Sequence, residues 1–276
     1  MDYSFYKELL EIKRRKYSSS YKQFLQECID HTTPNNLISC IDLVRLSTHH
    51  FNFSDKKIMI MRHDVDHDLE TAREMAKVEK QLGVTSTFFI LTQDKHTASH
   101  FMWNKDKNYF IDLFLEIQEM GHEIALHYDF LGDFFSLGKH PHSNLKEILN
   151  TLREAGLLIQ GCAAHGSSTM KDFLKHPKKY PLNFVNDKIW EELRDDKETL
   201  TLNFKNLEVP CVSLKEFSLV YEAYSLKKDY YFSDSGATFW RNLAATKTLP
   251  SHLKDMDNGK IIQLLTHPIW WRNNVN

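Results

Sequence analysis

Five short apolar segments of the chain each run directly into an Asp or a His, and this pattern restricts the fold more than any other feature. The apolar segments cover residues 58–61, 123–126, 157–164, 229–233 and 261–266. The polar residues that follow them are Arg62-His63-Asp64-Val65-Asp66, His127-Tyr128-Asp129, His165-Gly166, Asp234-Ser235-Gly236 and His267. Runs that are apolar at consecutive positions are typical of parallel strands buried on both faces. Because reactive side chains gather at the carboxyl ends of strands in a barrel of βα units, the pattern predicts one shared polar site.

Helical patterns alternate with these apolar runs. Residues 69–82 place apolar side chains on one face and are followed by Gly83, and residues 109–120 stop at Gly121. Asn144 and Glu147 have the spacing of a capping box, which predicts a helix that begins there. The alternation predicts an α/β fold with a parallel sheet, either a (β/α) barrel or an open doubly wound sheet. The barrel is preferred, since 276 residues suit one barrel of roughly 250 residues and both phosphate-loop motifs, GxGxxG and GxxxxGK[ST], are absent.

The composition of the chain indicates how many domains it forms and which kinds of partner it does not bind. No linker or short repeat divides it, so we expect one domain over 1–276, with its core at about 55–271 and a helical extension at 1–50. The formal net charge of −2 comes with interspersed signs, which argues against a nucleic-acid partner. No apolar run approaches the ~20 residues of a membrane span, and no apolar segment of a secretory signal follows the charged N-terminus. The four cysteines (Cys28, Cys40, Cys162 and Cys211) form no CxxC motif, so we expect reduced thiols and a cytoplasmic location.

The polar ends of the runs suggest a metal site, although each has a simpler interpretation. Asp64 and Asp66 are two apart, so in extended backbone they point to the same side, where their charges repel unless a cation lies beside them. Alternatively they form a solvated turn before the next helix. His127 is either a ligand or a core histidine bonded to backbone, and Asp234 is either functional or part of an Asx-turn. His267 precedes an aromatic pair that forms either a wall for a sugar ring or a plug of the barrel.

At these residues the chain resembles the polysaccharide deacetylase superfamily, the NodB-homology fold of family-four carbohydrate esterases, and especially members whose first motif reads RHDVD. The resemblance covers about residues 55–271. The matching segments, in chain order, are IMIMRHDVD, GHEIALHYD, GCAAHGS, YFSDSGATFW and LLTHPIWW. The resemblance implies a distorted, seven-stranded barrel with additional N-terminal helices.

The resemblance also implies a role for each matching residue. Asp64 would be the catalytic base, His267 the catalytic acid, and Asp66 and His127 ligands of a divalent ion. Zinc is the first choice of ion, with cobalt, nickel and manganese as alternatives. Substrate-binding positions would be Arg62, Tyr128, Asp234, Trp270 and Trp271.

Two departures from the family pattern affect the site. Val65 separates the two aspartates that are adjacent in the usual first motif. The second motif usually provides two histidines four apart, but Leu131 stands four residues after His127. We expect His165 to replace the missing ligand. Further candidates for that ligand are His63, His67 and Asp129.

The function implied is metal-dependent removal of an N-acyl group, with acetyl as the first choice, from an amino sugar or lipid-linked sugar precursor in glycan biosynthesis. Two alternatives stay open. One is hydrolysis of a cyclic amide, because relatives of this fold resemble allantoinases. The other is a catalytically inactive carbohydrate-binding protein that keeps the barrel without the ion.

Overall fold

The computed structural model describes residues 19–93, 97–129, 134, 138, 141–166, 190, 192, 200–202, 207–209, 212–235, 240, 243 and 248–276. The α-helices within these ranges are α1 (Tyr21–Asp30), α2 (Cys40–Thr48), α3 (Leu69–Leu82), α4 (Ala98–Lys105), α5 (Lys107–Glu119), α6 (Pro141–Glu154) and α7 (Leu249–Asp255). The strands are β1 (Leu37–Ile38), β2 (Ile58–Val65), β3 (Thr87–Leu91), β4 (Glu123–Tyr128), β5 (Gly161–Ala164), β6 (Leu200–Leu202), β7 (Leu207–Val209), β8 (Tyr221–Glu222), β9 (Tyr230–Ser233) and β10 (Ile261–Thr266). In these ranges, no helix is long and apolar enough to cross a membrane.

The main sheet is parallel throughout, and its central path runs β8-β5-β4-β3-β2-β10-β9. The short strand β1 pairs with Met59 and Ile60 on β2, below the part of β2 that pairs with β3. Strands β6 and β7 form a separate antiparallel pair. The predicted α/β fold, a distorted seven-stranded barrel, is therefore confirmed.

The two ends of this path lie close together, so the sheet is curled rather than flat. In a flat sheet six spacings of about 4.8 Å would separate β8 from β9 by roughly 29 Å. Yet only residues 223–229 connect them, and Lys228 Nζ bonds back to the carbonyl of Tyr224 at 2.7 Å. The Gln263 amide on β10 donates to the Ala223 carbonyl just past β8 at 3.0 Å. This contact closes the side of the barrel that strand pairing leaves open.

Several element boundaries differ from the predictions. β2 continues to Val65 and β4 to Tyr128, so the polar residues after the apolar runs remain in the strands. β5 begins only at Gly161, and Leu158, which was predicted within that strand, is 70% exposed. Helix α6 begins at Pro141, so the capping box predicted at Asn144 is wrong and Asn144 lies inside the helix. Helix α3 is as predicted, with Asp68 as N-cap and Gly83 in the left-handed conformation at its end.

Successive side chains of each strand point alternately into the barrel and toward the layer of helices. The apolar interior contains Ile60, Phe89, Ala125 and Ala163, which fill its lower and middle part. The helix α2, expected outside the barrel, contributes Cys40 and Ile41 to this interior cluster, because its N-terminus meets the lower ends of the strands. The upper interior is therefore left for polar side chains.

Candidate metal centre

Three side chains from neighbouring strand ends meet at the upper end of the barrel. Asp66 follows β2, His127 lies on β4 and His165 follows β5, and one ligand atom of each lies within 4.8 Å of the others. His127 Nε2 lies 3.6 Å from Asp66 Oδ1, and His165 Nε2 lies 3.6 Å from Asp66 Oδ2. These separations are too long for hydrogen bonds but suit ligands that share one ion at about 2.0–2.2 Å each.

The hydrogen bonding of His127 directs its other nitrogen into the site. Its Nδ1 donates to the main-chain carbonyl of Ala163 at 2.8 Å, which leaves the Nε2 lone pair facing Asp66 and, at 3.4 Å, Asp64. Burial lowers the pKa of His127 to about 4, against the opposing effect of the Asp64 and Asp66 carboxylates. A neutral imidazole whose proton is fixed by a carbonyl is the form that binds metal ions.

Asp66 supplies the clearest sign that the site is built for a cation. Burial would raise its pKa, but the imidazoles of His165, His127 and His267 hold that pKa well below its usual range. Its Oδ1 is buried and makes no hydrogen bond. A buried acceptor without a partner costs about 1–3 kcal/mol, which a bound cation would offset. One carboxylate and two imidazoles are a donor set that suits zinc, so the residues present fit a divalent transition-metal ion.

Asp64 lies beside this trio and is held by Arg62. The guanidinium donates from Nε and Nη2 to the two oxygens of Asp64 at 2.8 and 2.9 Å, with both residues buried. Burial would raise the pKa of Asp64, but Arg62 and then the histidines His127 and His267 lower it. Asp64 is therefore ionised at neutral pH, with a fixed orientation.

His267, at the end of β10, forms a second ion pair with Asp234, at the end of β9. Its Nδ1 donates to Asp234 Oδ1 at 2.6 Å and its main-chain nitrogen donates to Oδ2 at 3.0 Å. Burial alone would lower the pKa of His267, but Asp234, followed by the carboxylates of Asp66 and Asp64, raises it to about 9. His267 thus stays protonated at neutral pH while facing an anionic site.

Several residues expected to bind substrate have other contacts. Tyr128 points away from His127, because neighbours in a strand face opposite sides, and its buried hydroxyl accepts from Trp190 Nε1 at 2.7 Å. Arg62 is buried beneath Asp64, with its guanidinium carbon 4.8 Å from the Phe89 ring centre and 4.4 Å from that of Tyr224. Neither side chain has a face open to a ligand in this structure.

The sequence left two interpretations of Trp270 and Trp271, a wall for a sugar ring and a plug of the barrel, and the two residues differ in burial. Trp271 is fully buried, with ring centres 5.0 Å from Tyr21 and 5.4 Å from Phe24, so it belongs to the aromatic plug and its substrate-binding assignment is not supported. Trp270 is only partly buried and packs against the same cluster as Trp271. Asp234 contacts His267 rather than the pocket, so its place is behind the proposed acid.

Two of the three reserve ligands, His63 and His67, have partners outside the trio, whereas Asp129 is buried two residues after His127. His63 is on the other face of β2, between Glu79 at 2.8 Å and Thr266 at 2.5 Å, and the His67 ring accepts from the main-chain nitrogen of Ala98. Leu131 lies outside the described residues. Sequence reasoning missed Glu79, which also accepts from Tyr21 and Ser86. Its position on helix α3 gave no sign of this contact, whereas alternation along RHDVD would have placed His63 away from Asp64.

Comparison with known proteins gives little beyond this geometry. No protein-family model matches the chain. No curated protein matches it either. Among solved structures, the chain is similar to one described as a family 4 carbohydrate esterase from Bacillus anthracis, at 14% identity and a TM-score of 0.38, over 85% of this chain and 79% of that chain. At this level of likeness, the activity has to be inferred from the residues of the site.

Proposed function

We propose that the chain is a metal-dependent hydrolase that removes an N-acyl group, acetyl by preference, from an amino sugar or sugar precursor. One observation carries the proposal: Asp66, His127 and His165 converge at the strand ends beside an ionised Asp64 and a protonated His267. Acid–base hydrolysis of an amide needs an ionised base and a protonated acid at the same pH, which the lowered pKa of Asp64 and the raised pKa of His267 would provide beside the cation site.

Asp66, His127 and His165 would hold the ion, with zinc as the first choice. When bound, the ion would supply Lewis acidity toward water and toward the acyl carbonyl. The lone pair of His127 and the unbonded Oδ1 of Asp66 are already directed at this position. The chain thus pre-organises the ligand atoms before an ion arrives.

Asp64 would act as the general base. Its carboxylate takes a proton from the attacking water as the water oxygen bonds to the acyl carbon. The two hydrogen bonds from Arg62 keep both oxygens in place and keep the carboxylate ionised. A positioned base of this kind typically contributes about 10²–10⁴-fold to the rate.

His267 would act as the general acid. As the carbon–nitrogen bond breaks, the imidazolium gives its Nε2 proton to the leaving amine, so that amine and acid are the products. Its Nδ1 stays bonded to Asp234, which fixes the ring orientation. The raised pKa of about 9 keeps the proton available at neutral pH.

An amino-sugar substrate suits the rim of the site. The partly buried Trp270 lies in the turn that follows His267 and could present an apolar surface to a sugar ring. A cytoplasmic location, and with it a soluble or lipid-linked sugar precursor, remains part of the proposal. Cys28 and Cys40 are buried and form no disulfide, as is usual for proteins of that compartment.

The test combines metal content with acetate release. Zinc-loaded protein is assayed on a panel of N-acetyl sugar nucleotides and lipid-linked N-acetyl sugars, beside a panel of cyclic amides. Asp64→Asn and His267→Gln should each lower kcat by at least about 100-fold with unchanged zinc stoichiometry. Asp229→Asn, at the opposite ends of the strands, is the control and should stay within about twofold of the wild type.

The outcomes separate the candidate functions. Acetate release with loss in both variants supports the proposal, and turnover of cyclic amides alone supports the allantoinase-like alternative. Stoichiometric zinc without any turnover, or full activity of Asp64→Asn, contradicts the proposed hydrolase.

A further inference from the structure

The strand between those of Asp66 and His127 also ends at the site, although it carries neither Asp nor His. β3 lies between β2 and β4, and its last residue, Leu91, is in register with His127. Residues in register on parallel strands point to the same side, so Gln93, two residues further on, returns to the side of His127. Its Oε1 accepts from the main-chain nitrogen of Asp129 at 2.9 Å, which fixes the carboxamide at the level above His127.

The other end of this carboxamide is without a partner. Gln93 is 1% exposed, and its Nε2 is buried and makes no hydrogen bond within the described ranges. Buried N–H donors without a partner are few in native structures, and a catalytic role or a bound group is among the explanations for them. Within the described part of the chain, the acceptor Oδ1 of Asp66 and the donor Nε2 of Gln93 are thus among the buried polar atoms that make no hydrogen bond.

We propose that Gln93 binds the substrate, with Nε2 donating a hydrogen bond to the acyl oxygen. This inference rests on the proposed function, since it takes an N-acyl substrate as given. A bound cation would be the partner of Asp66 Oδ1, whereas the N–H donor of Gln93 needs an acceptor such as an oxygen atom of the substrate. The acyl oxygen is the atom of an amide that gains negative charge during attack at its carbon, so a fixed donor stabilises it most when charge develops.

Two substitutions of Gln93 distinguish the effect of losing its N–H donor from the effect of losing its oxygen acceptor. Gln93→Glu keeps an oxygen for the Asp129 main-chain nitrogen and, when ionised, loses the donor. Gln93→Met loses both groups at a similar size. Thr92→Val is the matched control: Thr92 directly precedes Gln93, is 2% exposed, and its hydroxyl makes no hydrogen bond with the described residues either.

The measurement is calorimetric titration of each zinc-loaded protein with acetohydroxamate, which carries the acyl group without a sugar, between pH 7 and 9. Both Gln93 variants should bind it about tenfold more weakly than the wild type, the effect of one lost hydrogen bond to a ligand. Thr92→Val should bind like the wild type. All four proteins should contain one zinc, so that the loss is not one of metal.

Three results would overturn the proposal: wild-type affinity in both Gln93 variants, loss in Gln93→Met alone, or an equal loss in Thr92→Val. Loss in the methionine variant alone would assign the effect to the Asp129 contact. The acetate-release assay keeps the two proposals apart. If the wild type binds acetohydroxamate but releases no acetate from any substrate, the proposed function fails while the Gln93 contact is still measured.

Discussion

The two ends of the barrel each hold a largely enclosed carboxylate, Glu123 at the lower end and Asp66 at the upper end, but only Glu123 has hydrogen bonds to both of its oxygens. At the lower end, Glu123 accepts from the Tyr221 hydroxyl at 2.7 Å, from Thr87 Oγ1 at 2.6 Å and from the main-chain nitrogen of Ile41 at 2.9 Å. At the upper end, Asp66 Oδ1 is buried and makes no hydrogen bond with the residues that the structure describes. The strand β4 contributes to both ends, through Glu123 at its start and His127 four residues later.

This difference in hydrogen bonding indicates that the cluster around Glu123 is structural, whereas the cluster around Asp66 is suited to bind a ligand. Glu123 joins three parts of the chain with neutral donors, so burial dominates and raises its pKa to about 7. Asp66 faces imidazoles, and its pKa is held well below the usual range despite its burial. The lower cluster is complete without any further group, whereas the upper cluster gathers ligand atoms around a position where a cation would fit.

Neutralising one carboxylate at each end should produce the largest difference between the two clusters. Asp66→Asn should weaken zinc binding by more than about 100-fold, since losing partners one shell further out already costs about 10–100-fold. Glu123→Gln should keep the zinc affinity of the wild type. Chelator competition with an indicator dye measures both.

Thermal unfolding provides the control for that pair. Saturating zinc at 1,000 times its Kd should stabilise the wild type and Glu123→Gln by about 4 kcal/mol, and Asp66→Asn by much less. Equal zinc stabilisation of Asp66→Asn and the wild type would show that the ion binds elsewhere.

A smaller effect is expected from the partner of the proposed acid. Asp234→Asn keeps an oxygen for the main-chain nitrogen of His267 but removes the charge that raises the pKa of His267 to about 9. The pKa should fall toward about 6.5, leaving roughly 3% of the imidazole protonated at pH 8. Because the acid works in its protonated form, activity is lost as pH rises through this pKa.

The pH profile of kcat tests this directly. At pH 8 the variant should be about 30-fold slower than the wild type, with a smaller deficit at pH 6. An alkaline limb that stays near pH 9 in Asp234→Asn would contradict the role of the Asp234–His267 pair.

The upper end was largely predictable from the sequence because the strands themselves mark it. Each apolar run leads into its polar residues, and parallel strands bring those residues to one edge, which is how Asp66, His127 and His165 could be grouped. The direction of each side chain was less well predicted. Tyr128 follows His127 and was assigned to the pocket, although alternation in an extended strand turns it toward Trp190.

The lower end could not be predicted in the same way. The Glu123 carboxylate contacts Tyr221, 98 residues away in the sequence, and Ile41, 82 residues away. No local sequence pattern predicts either contact. Gln93 could not be predicted for a related reason: an uncharged side chain after an apolar run does not stand out in the sequence as a functional residue. Its importance emerges only from the buried donor that the fold leaves without a partner.

The smallest expected effect concerns the lower end alone and is one of stability. The pKa of Glu123 is raised by burial to about 7, above its unfolded value, so the folded state holds this proton more tightly than the unfolded state does. Its contribution is therefore fully present below about pH 4.3 and is lost as pH rises toward 7. Glu123→Gln has no such proton, so between pH 5 and 8 the wild type should lose about 2.5 kcal/mol more than the variant in urea unfolding, measured with chelator present. All other titrating groups are shared and cancel in the difference. If the two proteins follow the same pH dependence, Glu123 is not the tightly enclosed carboxyl that distinguishes the lower end from the upper one.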